Sequence, residues 1–210
     1  MKKLLIASVL VSTPLAAQIP ITKDNAAYVA PEGWTIRLDD KDRTARPADT
    51  KFTTMGSGFH VTSGPAALYY RVADQAAGSF GVSAGFSQRK APAHPEAYGL
   101  FFGGRNLETP QQEYFYFLVR GDGKYYFAHR AGPDVHTVVP WTDHEAVNKQ
   151  NEAGVASNVV GVDVTADSVH LLVNTRRVRS FGRLQTAGQV GLRVNHGLDV
   201  HIGDFRLQKP

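Results

Sequence analysis

The chain has 210 residues, 23 Lys and Arg against 19 Asp and Glu, a formal net charge of +4 and no cysteine. That near balance argues against a dedicated nucleic-acid binder, and the closest thing to a basic stripe, Arg176, Arg177, Arg179 and Arg183, would be divided between two faces by strand alternation. The missing cysteines exclude a fold stapled by disulfides, so any exported domain here must be held by burial, for which 42% hydrophobic residues suffice.

The first elements in chain order are not structural. MKKLLIASVLVSTPLAAQ places Lys2 and Lys3 before the short apolar run Leu4 to Val11, with small residues from Pro14 to Ala17. This reads as a secretory signal peptide over residues 1–17, too short for a stable membrane anchor. Residues 18–210 are then expected to form a single secreted or periplasmic domain with no further membrane span. The chain has no Asn-x-Ser/Thr sequon, which fits a bacterial envelope protein. Gln18 to Ala30 has low propensity for any element and is expected to wrap the domain edge.

From Trp34 onward, short runs of period-two alternation are separated by Gly, Pro, Asn and Asp clusters, an all-β pattern. Strands are expected at Trp34–Leu38, Phe52–Met55, Phe59–Thr62, Ala67–Arg71, Ser79–Gln88, Tyr98–Phe102, Tyr114–Arg120 and Lys124–Arg130. Further strands are expected at Thr137–Pro140, Asn158–Asp163, Ser168–Asn174, Arg177–Phe181, Gln189–Val194 and Asp199–Leu207. The best helical stretch is one turn around Glu145–Asn148. Neither a fixed-period repeat nor a composition shift marks a second domain.

The stretch YFYFLVRGDGKYYFAHR (Tyr114 to Arg130) is two aromatic strands around a Gly-Asp-Gly turn. A two-residue loop would pair Phe115 with Arg130 and mix charge into the apolar face. A three-residue loop pairs Arg120 with Lys124 and gathers Phe115, Phe117, Val119, Tyr125, Phe127 and His129 on one side. The segregated register is the expected one. It turns Tyr114, Tyr116 and Tyr126 outward, ringed by Arg120, Lys124 and Arg130.

That hairpin, AYGLFFGGRNL (Ala97–Leu107), VHLLVNTRRVRSF (Val169–Phe181) and GQVGLRVNHGLDVHIGDFRL (Gly188–Leu207) together resemble the concanavalin A-like lectin/glucanase superfamily. The nearest branch is the bacterial secreted 3-keto-disaccharide hydrolase-like domains, cousins of laminin G-like jelly rolls. The resemblance covers roughly Phe52 to Leu207. It implies an all-β, two-sheet antiparallel β-sandwich of jelly-roll type, with carbohydrate held on or beside the concave sheet.

The residues themselves favour binding over catalysis. Retaining glucanases of that superfamily carry a Glu-x-Asp-x-(x)-Glu strand, because acid and nucleophile must stand about 5 Å apart. The motif is absent, and the close acids Asp39, Asp40 and Asp42, and Asp143 with Glu145, read as solvated loop charge. Gly81–Gly85 spells the Gly-x-Ser-x-Gly elbow, but strand alternation makes Ser83 an ordinary strand residue on a face nearly bare of side chains. Arg120-Gly121-Asp122 spells the integrin tripeptide, but a tripeptide often arises by chance and the Gly-Asp-Gly turn has its own geometric reason, so it reads as a turn. His196, Asp199 and His201 have the residue types of a metal site but read as surface polar positions, so no metal and no cofactor is expected. The loop Ser87–Gly99 offers His94 and Glu96 as an acid/base pair, or is a solvated connector.

The outward tyrosines remain. Sugars stack on aromatic rings while cations and amides fix their hydroxyls, so carbohydrate is the expected partner class and nucleic acid is not. The candidate ligand-binding residues are Tyr114, Tyr116, Tyr126, Arg120, Arg130 and Arg105. Against this, cross-strand tyrosines stabilise sheets without any ligand, or the segment ending in Trp141 covers them. A glycoside-processing hydrolase and a structural envelope domain are the two rival functions.

Overall fold

In a computed structural model the described residues are 30–39 and 50–210. The leader, 18–29, Asp40 and Asp42 lie outside the described residues. The described residues form strands and no helix. In chain order these are β1 (Thr35–Leu38), β2 (Lys51–Met55), β3 (Gly58–Thr62), β4 (Ala67–Tyr70), β5 (Gln75–Ala76), β6 (Phe80–Gln88), β7 (Ala97–Arg105) and β8 (Glu113–Arg120). They continue with β9 (Lys124–Ala131), β10 (Asp134–Asp143), β11 (Ala156–Val164), β12 (Ser168–Val173), β13 (Arg176–Gly182), β14 (Gly188–Val194) and β15 (Asp199–Gln208).

Two antiparallel sheets stack as a sandwich. The first has the order β1-β4-β14-β7-β8-β9-β10, with β5 paired to β14, and the second β13-β12-β11-β6-β15-β3-β2. Every expected strand is present. Only β5 goes unanticipated, because two residues are too short for an alternation. The expected single helical turn is instead a turn closed by the Val147 amide on the His144 carbonyl at 3.0 Å. β10 extends well beyond Thr137–Pro140. It accommodates Pro140 because it is an edge strand and Pro140 falls within the register shift between Val139 and Thr142.

The sandwich interior is filled by inward-facing residues of both sheets. From β6 come Phe80, Val82, Ala84 and Phe86; from β11 and β12, Val160, Val162 and Leu171; from the opposite sheet, Tyr98, Leu100, Phe117, Phe127 and Leu192. Burial of the alternate positions is what fixes strand register. The aromatic hairpin adopts the three-residue loop, with Arg120 opposite Lys124 and Phe117 opposite Phe127.

The outer face of the first sheet differs from expectation. Leu68, Tyr70, Ala97, Phe101, Leu107, Tyr114, Tyr116, Leu118 and Ala128 form a second buried apolar layer there, with Tyr126, Val135 and Trp141 packed at its margin. Tyr114 is 1% and Tyr116 6% exposed. Both point away from the sandwich interior, as read, but they are not an open platform. Alternation assigns a residue to a face; it does not say whether water or protein lies above that face.

Candidate functional site

The outer layer is organised as a line of rings drawn from five strands, β4, β7, β8, β9 and β10. Tyr70 on β4 meets Phe101 on β7 edge-on at 6.0 Å, and Phe101 meets Tyr114 on β8 at 5.7 Å. Tyr114 and Tyr116 lie 5.8 Å apart, Tyr116 and Tyr126 on β9 5.9 Å, and Tyr126 stacks on Trp141 of β10 at 4.9 Å. Offset and edge-to-face pairs at such separations each add roughly 0.5–1.5 kcal/mol beyond area burial. The line is buried on its β4–β8 side. Tyr126 and Trp141 are only half-buried, so accessibility grows toward β10.

Arginine and aspartate secure the buried side. Arg193 projects from β14 beside Gly99 of β7, its register partner. Its guanidinium lies 4.8 Å from the Tyr116 ring centroid and donates to the Tyr114 hydroxyl at 3.1 Å. Asp39, just after β1, accepts from Arg193 at 2.8 Å and sits 3.5 Å from Arg130. Burial pushes the Asp39 carboxyl up, but Arg193, Arg130 and Arg37 outweigh it and hold the group below the usual carboxylate range. Burial pushes the Tyr114 and Tyr116 hydroxyls up, so both stay protonated. Asp39 is therefore corrected from a solvated loop charge to the acid of a buried network. Arg130, 4% exposed, is a structural partner of that acid rather than an outward cation.

The accessible end lies at the hairpin tip. The Arg120 guanidinium stands 4.4 Å over the Trp141 ring and forks onto Asp122, with Nε donating at 2.9 Å. The integrin-like tripeptide thus neutralises itself, and Arg120 holds the Asp122 carboxyl below its ordinary range. Beside Arg120 the 89–96 connection roofs a cleft of about 110 Å³ lined by Gln88, His94, Glu96, Asp122 and Gln150, among others. Gln88 fixes its wall by donating to Gln150 at 2.8 Å and to the Gly154 carbonyl at 2.7 Å. The Glu96 carboxyl lies 2.8 Å from His196 Nε2, and its side chain is 11% exposed. Burial raises the Glu96 carboxyl, while His196, Asn195, His94 and Arg120 partly offset the rise. The Ser87–Gly99 loop is thus more than a solvated connector, because it carries Glu96 into a cluster of two imidazoles and a guanidinium.

The remaining candidates separate. Arg105 lies at the opposite end of the sandwich, tied to Glu113 at 2.7 Å, and does not join Arg120 or the tyrosines. His196 turns to Glu96, whereas Asp199 turns to His60 at 3.0 Å and to Lys90 at 3.7 Å. Among the described residues no group of three His, Cys, Asp or Glu could hold a metal ion. Ser83 sits mid-strand opposite Gly161, without a base beside it among the described hydrogen bonds. Asp143 and Glu145 are exposed and pair with Lys124 and Arg176. Sequence reasoning missed Arg193 and the role of Asp39; the segment ending in Trp141, weighed as a cover over the tyrosines, lies beside them as β10, with Trp141 stacked on Tyr126. One signal was available: β4, β7 and β8 are apolar at both parities, the mark of strands covered on both faces.

Neither a family model nor a curated protein matches the sequence. Solved structures do match the fold. The carbohydrate-binding module CBM66 from Bacillus subtilis superposes with a TM-score of 0.61 at 10% identity, covering 84% of this chain and 96% of that one. A β-glucanase from Bacillus licheniformis gives 0.56 at 11% identity, covering 87% and 95%. The lumenal domain of VIP36, in a Ca²⁺- and Man3GlcNAc-bound form, gives 0.58 at 7% identity, covering 85% and 84%. At such identities the likeness establishes the concanavalin A-like, jelly-roll sandwich and nothing about the site.

Proposed function

We propose that the protein is an exported, carbohydrate-interacting β-sandwich without a catalytic step, which holds a glycan at the hairpin-tip corner of the first sheet. Trp141 and Tyr126 offer apolar ring surface, Arg120 a planar donor, and His94, Glu96 and Gln150 the polar groups that orient sugar hydroxyls. One observation carries the reading: the Tyr126–Trp141–Arg120 stack runs directly into the cleft that Arg120 shares with Glu96. A small number of convergent polar groups beside aromatic surface is the common form of a small-ligand site. The shared fold with a carbohydrate-binding module and a glycan-bound lumenal domain supports it. In this reading Tyr116, 5.9 Å from Tyr126, supports the ring line from β8, while Tyr114 and Arg130, paired at the far end of the hairpin, belong to the buried network around Asp39 and Arg193.

A glycan array with the processed protein tests this, run beside Trp141→Ala and Tyr126→Ala proteins whose folding is checked by circular dichroism. Binding by the wild type and its loss in both variants is expected. Wild-type protein that binds nothing, or a Trp141→Ala protein that binds as well as wild type, would sink the reading. Export rests on residues 1–17, and N-terminal sequencing of protein recovered from outside the cytoplasm should begin near Gln18. A second reading, glycoside processing, is favoured by the placement of the half-buried Glu96 carboxyl, pushed up by burial, beside two imidazoles, residue types that serve general acid–base catalysis. Sugar turnover lost in Glu96→Gln would support it.

A further inference from the structure

The strand β13 is an edge of the second sheet, paired only with β12. It carries Arg176, Arg177 and Arg179, and the connection that follows it carries Arg183. Arg176 is held by Glu145. Among the described residues Arg177, Arg179 and Arg183 have no carboxylate within 4.0 Å, and Arg179 only overlies the Phe181 ring at 5.9 Å. Arg177 and Arg179, opposite Leu172 and Leu171 of β12, thus stand on the two faces of this edge strand, and Arg183 follows them in the connection. At the end of that strand the sheets part around a cleft of about 570 Å³. Arg105, Arg183, Gln185 and Ser168 line it together with apolar Val164 and Val169. The nearby acids are Glu113, engaged with Arg105, exposed Asp167 in the β11–β12 turn, and exposed Asp163 on β11, across His170 from Ser180.

Charge on an edge strand protects it from pairing with other chains, and that accounts for some of these residues. It does not account for guanidiniums continuing past the strand into a cleft, nor for four arginines and no lysine. A guanidinium is a planar fork suited to two-point recognition of carboxylate or sulfate, whereas protection of an edge needs only charge. Hydroxyl and amide groups among the arginines suit sugar hydroxyls. The only aromatic ring on the strand is half-buried Phe181, so the stacking platform typical of single-stranded nucleic-acid sites is missing.

We propose that β13 and the cleft at its end form a second site, for an anionic polysaccharide: a sugar chain carrying carboxylate or sulfate groups. It is independent of the hairpin-tip corner, which lies on the other sheet. Calorimetric titration of the processed protein with polygalacturonate, dextran sulfate, fully methyl-esterified polygalacturonate and duplex and single-stranded DNA tests it. At least one of the two acidic polysaccharides should bind, the esterified chain should not, and binding should weaken steeply as salt rises. An Arg177→Gln/Arg179→Gln/Arg183→Gln protein, altered only at exposed positions, should lose about tenfold in affinity, the product of three exposed charge pairs. A Trp141→Ala protein should bind the acidic chains as wild type does, which separates this site from the hairpin-tip reading. The proposal is overturned if neither acidic polysaccharide binds, if binding is insensitive to salt, if the triple variant binds undiminished, or if DNA binds as tightly.

Discussion

Replacing Asp39 by asparagine keeps the side chain's shape and removes only its charge. The carboxylate is 13% exposed and lies against the Arg193 and Arg130 side chains, themselves 9% and 5% exposed. Removing one partner of a buried pair typically costs 3–5 kcal/mol, because the remaining charge stays desolvated. The asparagine oxygen would still accept from Arg193, returning about 1 kcal/mol. Arg193 also keeps the Tyr114 hydroxyl and the Tyr116 ring. The expected loss is therefore about 3 kcal/mol. For a domain of this size that corresponds to a fall in Tm of roughly 6–12 °C. Urea unfolding followed by the fluorescence of Trp34 and Trp141 reads it as a lower midpoint at unchanged slope. Adding Arg193→Met should cost less in the Asp39→Asn background than alone, since the two residues share one interaction. A loss below 1 kcal/mol, or simple additivity of the two substitutions, would show that the network is hydrated and that the outer layer does not depend on it.

Stability should also depend on pH with opposite signs from two carboxyls. Asp39, held low when folded, favours the fold above the ordinary aspartate range, and its contribution is lost as pH falls through its depressed value. Glu96, held high, makes stability fall as pH rises from the ordinary glutamate value through its raised one, and Glu96→Gln should remove that arm in pH-dependent melting curves. A methyl group at Gly99 would sit 2.1 Å from the Phe117 carbonyl oxygen, whereas one at Gly203 meets no heavy atom within 4 Å. Gly99→Ala should thus destabilise by about 1–3 kcal/mol or more, and Gly203→Ala should be neutral or stabilising by up to about 1 kcal/mol, both read from denaturant midpoints. Ser63 links two loops by donating to the Asn195 carbonyl at 2.6 Å and accepting the Leu198 amide at 2.9 Å. Ser63→Ala leaves that buried amide unpaired and should cost about 1–3 kcal/mol in the same assay.

How much of this was legible in the sequence varies with the range of the interaction. The β8–β9 register could be read because only one pairing puts Phe117, Val119, Tyr125 and Phe127 on a common face. β6 could be read because its apolar residues alternate strictly with Gly and Ser. The candidate site was less accessible. Asp39 and Arg193 are separated by 154 positions, and no local pattern announces a partner so distant. Tyr114 and Tyr116 were assigned the correct face, yet period-two reasoning carries parity alone. What lies over a face depends on the assembled sheet, here on Arg193 reaching over from β14. Glu96 likewise gained its setting only when the 89–96 connection met the turn carrying His196.

The position of β15 bears on how the chain is made. It lies between β6 and β3, holding both by backbone hydrogen bonds. Without it the second sheet falls into two pieces, β13-β12-β11-β6 and the β3–β2 hairpin. Neither piece can bury Phe86, Val61 and Phe52 together. Because β15 follows β2, β3 and β6 in the chain, the sandwich cannot close until Asp199–Gln208 has emerged from the ribosome. Until then two strand edges and much of the interior face solvent, in a topology dominated by long-range pairing that folds slowly. Binding of a holding chaperone to the nascent protein should persist until that segment is available, and shortening the chain within β15 should yield an insoluble product rather than a smaller domain.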